Sequence, residues 1–265
     1  MSWLNQLKKY LIMNNMKVRY LSDLHLEFIK PNKIEKFIRK IPSGIDEICI
    51  LAGDIGNPYQ KNYDIFMNFI SKNFKKTFYI AGNHEYYNTT KTIQETNEFM
   101  EGYFQQFNNI SFLNNNYEIY NNYCFIGTTL WSKITNPKYE INDVHSIHNF
   151  DYIQYNKLNM LCVDFLQDAL QKNENCIVIT HHMPSSSLID VKYKTQEMMP
   201  YNQWFYCNMD DLIETNVNKI KYWIYGHTHT SSNVIINDIS FLCNPIGYPN
   251  ENRTLDFQKS FTTSV

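Results

Sequence analysis

Side chains of metal-binding type gather at the ends of apolar runs in this sequence. Residues 17–21 run into Ser22-Asp23-Leu24-His25, and residues 47–52 into Gly53-Asp54. Residues 77–81 lead to Gly82-Asn83-His84-Glu85, residues 176–180 to His181-His182, and residues 222–225 to Gly226-His227-Thr228-His229. Singly, each motif is weak: an Asp after a Gly is ordinary turn chemistry, and a His after a strand is most often a hydrogen-bonded structural residue. Together they offer two Asp, one Asn and four or five His, a nitrogen and oxygen donor set without thiolate. Such a set suits Mn, Fe, Zn, Co or Ni and disfavours Ca²⁺ or an iron–sulfur centre. It exceeds what one tetrahedral ion needs, so two divalent ions sharing a carboxylate is the economical reading. A pair of ions about 4 Å apart can acidify a bridging water and clamp both oxygens of an in-line displacement, which is hydrolytic phosphoryl chemistry.

These residues lie up to about 200 positions apart, so the fold must bring them together. Apolar runs of strand length at 17–21, 47–52, 77–81, 123–127, 176–180, 222–225, 233–237 and 239–243 alternate with helix-patterned stretches at 31–41, 60–74, 89–107 and 157–172. That alternation predicts a layered α/β domain, and in such sheets the carboxyl ends of the strands converge on the crevice where ligands bind. Glycines beside the candidates are expected to let the chain turn sharply there. Asn114-Asn115-Asn116 and Asn121-Asn122 read as turns. The two long irregular stretches, 131–156 and 183–207, are the loops in which function is most often housed.

The ordered set Ser22-Asp23-Leu24-His25, Gly53-Asp54, Gly82-Asn83-His84-Glu85, Val178-Ile179-Thr180-His181 and Gly226-His227-Thr228-His229 resembles the calcineurin-like metallophosphoesterase superfamily over about residues 16–247. The resemblance implies a four-layer α/β/β/α sandwich, two packed mixed β-sheets flanked by helices. It implies one metal held by Asp23, His25, Asp54 and His229 and a second held by Asp54, Asn83, His181 and His227, with a metal-bridging hydroxide as nucleophile. His84 would face the substrate and assist the leaving oxygen. His182 is left as a substrate contact or a support for the ligands, and Glu85 is expected to orient a neighbour or a backbone amide.

Protein Ser/Thr phosphatases of that superfamily carry Gly-Asp-X-X-Asp-Arg-Gly and Arg-Gly-Asn-His-Glu. Here Gly53-Asp54-Ile55-Gly56-Asn57-Pro58 has neither the second Asp nor the Arg, and Ala81 precedes Gly82. Of the three arginines, Arg19, Arg39 and Arg253, none lies in a motif, whereas six of the eight histidines do. Without a guanidinium clamp the site leans toward the singly charged phosphodiester. A phosphodiesterase, with manganese among the candidate ions, is therefore expected. A phosphomonoesterase or a nuclease of the same superfamily is the alternative, and a non-catalytic metal-binding scaffold the alternative of another class. The expected substrate is a small phosphate ester, nucleotides included. Tyr86, Tyr87, Trp131 and the run Tyr201 to Tyr206 are placed to stack on a base near the mouth, with core packing the plainer role. His145, His148 and Asp151 belong to the rim or to the surface.

Composition narrows the partners. Twenty-four basic against 26 acidic residues give a net charge of −2, with no basic stripe to track a nucleic-acid backbone, so specific nucleic-acid binding is not expected. The six cysteines stand far apart and mostly in apolar runs, which reads as buried thiols in a reducing compartment. No run has the length of a membrane span or a signal-peptide core, and a cytoplasmic location is expected. Residues 1–15 read as an extension in front of the domain at 16–250, and residues 251–265 as a tail. Oligomeric state is left open.

Overall fold

The computed structural model describes residues 15–251 and 256–263. All but Asn15 of the expected N-terminal extension therefore lies outside the described residues. Eleven strands among the described residues form two sheets. The first holds β1 (Lys17–Leu21), β2 (Gly44–Ala52), β3 (Phe74–Ile80), β4 (Ile110–Phe112) and β11 (Ser260–Thr262) in the order β11-β1-β2-β3-β4. The second holds β5 (Asn116–Tyr120), β6 (Tyr123–Thr128), β7 (Cys176–Thr180), β8 (Ile220–Tyr225), β9 (Ser232–Ile236) and β10 (Ile239–Cys243) in the order β5-β6-β7-β8-β10-β9. Strands β1 to β4 run parallel, as do β6, β7, β8 and β10; β5, β9 and β11, each at a sheet edge, are antiparallel to their neighbours.

The two-residue period of the strands explains the layering. Val18 and Tyr20, Ile48 and Ile50, Phe78 and Ile80, Phe125, Ile177 and Ile179, Ile224 and Leu242 form one core between the sheets. Their strand neighbours Leu21, Leu51, Tyr79, Ile126, Val178, Trp223 and Phe241 point outward into a second core under the helices. Those helices include α1 (Ile34–Ile38), α2 (Lys61–Asn73), α3 (Ile93–Phe104), α4 (Asn142–Ser146), α5 (Tyr152–Lys172) and α6 (Asp210–Thr215). Thr92 and Glu95 close a reciprocal capping box on α3, and Asp151 caps α5 by accepting from the Gln154 amide. The expected sandwich of two mixed sheets flanked by helices is what the chain forms. All six cysteines are buried, and no disulfide joins any of them.

Phe78 and Phe125 stack across the two sheets with ring centroids 3.9 Å apart and planes at 12°. Replacing Phe78 by Ala is expected to cost about 3–5 kcal/mol of stability through the cavity it opens. A denaturant midpoint that drops at unchanged m-value would show it; a loss below about 1 kcal/mol would mean that the sheets close over the gap.

Several elements differ from the sequence reading. Strand β4 and the short helices α4 and α6 are too short to establish a period, and β5, although as long as β1, is largely open to solvent and shows no apolar run. Asn121 and Asn122 do form the turn expected of them: both take positive φ, 47° and 64°, as a two-residue hairpin between β5 and β6 requires. Within the expected tail, Ser260–Thr262 pair with β1, and the Met16 amide donates to the Thr263 hydroxyl at 3.0 Å.

Candidate metal centre

The carboxyl ends of β1, β2 and β3 deliver Asp23 and His25, Asp54, and Asn83 and His84; those of β7 and β8 deliver His181 and His182, and His227 and His229. All nine side chains are buried. Five of the seven candidate ligands, Asp23, His25, Asp54, His227 and His229, sit in left-handed backbone with φ between 48° and 65°. Non-glycine residues rarely do so, and each costs roughly 1–3 kcal/mol, so five at one site mark a geometry the surrounding fold enforces. The glycines beside the motifs act differently from the expectation of sharp turns. Of the three, only Gly53 has positive φ, at +82°; Gly82 and Gly226 provide room, because a Cβ on Gly82 would press into the Asp54 carboxylate and one on Gly226 would lie 2.8 Å from Asp23 Oδ2.

Asp23, His25 and His229 bring one donor atom each within 4.8 Å of one another; so do Asp54, His181 and His227, and so do His25, Asp54 and His84. Asp54 thus lies between two clusters. Its Oδ1 accepts from the His84 amide at 2.8 Å, while Oδ2 faces His181 Nε2 at 3.3 Å and His25 Nε2 at 3.9 Å. Asn83 Oδ1 meets His181 Nε2 at 3.0 Å, and Asn83 Nδ2 donates to Asp143 at 2.8 Å, which turns the amide oxygen toward the histidine.

Hydrogen bonds on the far ring nitrogens decide what the near ones present. His25 Nδ1 donates to Glu27 at 3.1 Å, His229 Nδ1 to Glu251 at 2.9 Å, and His181 Nδ1 to the Ala52 carbonyl at 3.0 Å. In each neutral ring the Nε2 atom then carries a lone pair. Two such atoms, His25 Nε2 and His229 Nε2, face each other at 3.0 Å, and His181 Nε2 faces the oxygens of Asp54 and Asn83. Facing lone pairs repel unless a proton or a metal cation lies between them. Asp23 Oδ2 and His227 Nε2 are buried without a hydrogen-bond partner among the described residues, although the other Asp23 oxygen accepts from the His227 amide at 2.9 Å. The donors present fit divalent cations.

The field agrees with the geometry. Burial opposes charge on Asp54, but the neighbouring His181, His84 and His25 outweigh it and hold the carboxyl well below the usual carboxylate range. Burial likewise opposes charge on His229 and His181, yet Asp23 and Glu251 lift the first to about 10 and Asp54 lifts the second to about 9. Where no ion is bound, a proton on these two rings fills the place where their Nε2 atoms face the carboxylates, and a divalent cation would displace it to meet the lone pairs.

A family model for the calcineurin-like phosphoesterases matches residues 16–231. The chain belongs to that family. It is 34% identical over 262 residues to an uncharacterised protein of Acanthamoeba polyphaga mimivirus, covering 88% of this chain and 92% of the relative. Among solved structures it resembles the phosphopantetheinyl hydrolase of Mycobacterium tuberculosis, with a TM-score of 0.71 at 14% identity over 90% of this chain and 92% of that one. It also resembles a protein of Thermus thermophilus, with a TM-score of 0.57 at 13% identity over 94% and 98%. At such identities the likeness establishes the shared fold.

The calcineurin-like phosphoesterases are a metal-dependent family, and in this member the groups around the centre include four that the sequence motifs do not reveal. Glu27 accepts from His84 Nδ1 at 2.9 Å as well as from His25, so one carboxylate orients both rings. Asp143 holds Asn83 and also accepts from the Tyr87 hydroxyl at 2.6 Å. The Tyr248 hydroxyl meets His84 Nε2 at 2.9 Å, and Glu251, the first residue of the expected tail, holds His229. Glu27 lies two residues after His25, near enough in sequence to be associated with that motif. Replacing Glu27 by Gln is expected to lower metal affinity and turnover together by about 10–100-fold, as loss of such an orienting carboxylate does. A metal titration beside a rate measurement checks this; two unchanged values would remove Glu27 from the site.

Glu85 accepts from the amides of Asp54, Ile55 and Gly82 and from the Tyr79 hydroxyl, pinning the ends of β2 and β3 together. His182 is fully engaged behind His227, its Nδ1 on the Thr129 carbonyl and its Nε2 on the Tyr155 hydroxyl, and burial with the nearby His181 pushes it down to about 3. It does not reach the open side of the centre. That side is a cavity of about 360 Å³ bordered by Asn83, His227 and His229. Of the aromatic candidates, Tyr87, Tyr201 and Phe205 line it, whereas Tyr86, Trp131 and Trp204 are buried in the core. His145 is exposed beside Glu140, and Asp151 caps its helix. Among the described residues no helix is long and apolar enough to cross a membrane.

Proposed function

We propose that this chain is a dinuclear-metal-dependent phosphoesterase that prefers phosphodiesters. One observation carries the reading: histidine lone pairs, fixed by partners on the far side of each ring, converge with Asp23, Asp54 and Asn83 on two adjoining positions. Asp23, His25, Asp54 and His229 would hold one ion, and Asp54, Asn83, His181 and His227 the other. When bound, such ions supply Lewis acidity toward a phosphoryl group and lower the pKa of water. The rest is work for the chain's own side chains. Asn83 is oriented by Asp143, and the Asp54 carboxylate is aimed by the His84 amide. His84 is held at Nδ1 by Glu27 and offers Nε2 at the place where the Tyr248 hydroxyl now lies, which is where a leaving oxygen would take its proton.

The diester preference rests on charge. Arg19 is buried against Glu47 and the Pro42 carbonyl, and Arg39 pairs with Glu35 on the surface. Among the described residues neither arginine is available to a phosphate dianion, and no Lys or Arg lines the cavity. Metal-loaded protein is expected to hydrolyse bis-p-nitrophenyl phosphate faster than p-nitrophenyl phosphate, with little action on single-stranded or duplex DNA. Faster monoester cleavage would reverse the preference. DNA cleavage would favour the nuclease reading, and metal binding without hydrolysis of any ester would favour a scaffold.

A further inference from the structure

The cavity beside the candidate ligands has walls of two chemical kinds. Ile141 comes from one long loop and Met183, Ile189, Met198 and Phe205 from the other. The Phe205 ring stacks on His227 at 4.8 Å and 30°, so the apolar wall begins at a candidate ligand itself. Among the described residues the charged side chains on the lining, apart from the histidines, are all acidic: Glu140, Asp143 and Glu251. A volume of about 360 Å³ lies at the small end of the range for small-molecule sites, enough for one compact organic group.

The loop that forms most of this wall is built, not loose. Gln203 Oε1 accepts from the Thr135 and Asn136 amides at 2.9 Å each, Gln203 Nε2 donates to the Asn136 carbonyl at 2.7 Å, and Asn202 Nδ2 donates to the Tyr193 carbonyl at 3.0 Å. The Met183 amide donates to the Phe205 carbonyl at 3.1 Å, tying the start of the loop to its end. The apolar side chains are therefore presented by fixed backbone.

We infer that this cavity receives the organic group of the phosphate ester, and that the substrate class is an ester whose organic group is apolar or planar and bears no second anionic group. Burying such a group against the loop walls is favourable, whereas a carboxylate or further phosphate there would meet acidic side chains with no lysine or arginine among the described lining residues to offset them. The inference rests on the phosphoesterase reading above and narrows it: esters of hydrophobic or aromatic alcohols fit, and polyphosphorylated compounds do not.

Equilibrium binding of non-hydrolysable phosphonates to the metal-loaded chain tests this directly. Phenylphosphonate is expected to bind at least about tenfold more tightly than methylphosphonate, and 4-carboxyphenylphosphonate is expected to lose that gain. In Met198→Ala and Ile141→Ala, neither of them a candidate ligand, the phenyl advantage should shrink while methylphosphonate binds as before. Equal binding of the phenyl and methyl compounds, no binding of phenylphosphonate, or full retention of the gain by the carboxylated compound would each overturn the inference. The two readings fail separately: selective phosphonate binding without ester hydrolysis removes the enzyme and keeps the subsite, while hydrolysis indifferent to the organic group removes the subsite and keeps the enzyme.

Discussion

Asp54→Asn is expected to yield a folded chain that retains little divalent metal and hydrolyses phosphate esters roughly a thousandfold more slowly, about 4 kcal/mol of lost barrier reduction. Among the described residues Asp54 is the carboxylate placed between both clusters, and it is buried. An amide there has no charge to offer either side, and its NH₂ group would take the place of an oxygen facing His181 or the His84 amide. The backbone should persist, since Glu85 holds the Asp54, Ile55 and Gly82 amides independently of the Asp54 side chain. Metal content by elemental analysis and a thermal melt, with and without added Mn²⁺, separate loss of metal from loss of fold. A variant that keeps two metal equivalents and the wild-type rate would refute the shared-carboxylate arrangement.

His84→Ala should behave in the opposite way: metal retained, turnover lower by about 10²–10⁴-fold, and the deficit largest for poor leaving groups. His84 comes within reach of His25 and Asp54, so proximity alone would also allow it to be a ligand. Its partners argue otherwise, because Glu27 takes Nδ1 and the Tyr248 hydroxyl occupies Nε2, leaving the ring aimed along the line from Glu27 to Tyr248. Burial opposes charge on His84, but Asp54 and Glu27 outweigh it and raise its pKa from the ordinary histidine value, which favours the protonated ring that a proton donor needs. Loss of metal together with rate would make His84 a ligand, and equal deficits for good and poor leaving groups would remove it as proton donor.

Much of this arrangement is readable in the chain. The run 17–21 matches β1, 176–180 matches β7 and 239–243 matches β10, because an uninterrupted apolar run bounded by polar turn residues has few alternatives to a buried strand. The other long strands differ by a few residues at an end, where polar positions such as Lys75 and Lys76 continue the pairing beyond the apolar stretch. The edge strands β4, β5 and β11 escaped because a short strand half open to solvent shows no apolar run. Ser260–Thr262, within the stretch expected as a tail, is likewise brief and mostly polar, and only the open edge of β1 makes it a strand.

The site divides along a similar line. The candidate donor types, their order and their position after strands are legible in the chain, because metal chemistry demands particular atoms and strand ends are marked by local patterning. Which ring nitrogen of His181 and His229 faces inward is set in three dimensions, since it depends on the Ala52 carbonyl, 129 positions from the ring it orients, and on Glu251. Tertiary structure also decided that Tyr248 would stand at His84 and that two separate loops would give the cavity apolar walls and an acidic rim. Hydrogen-bond partners and cavity walls are set by how two sheets pack through space, and no local spacing in the chain encodes that distance.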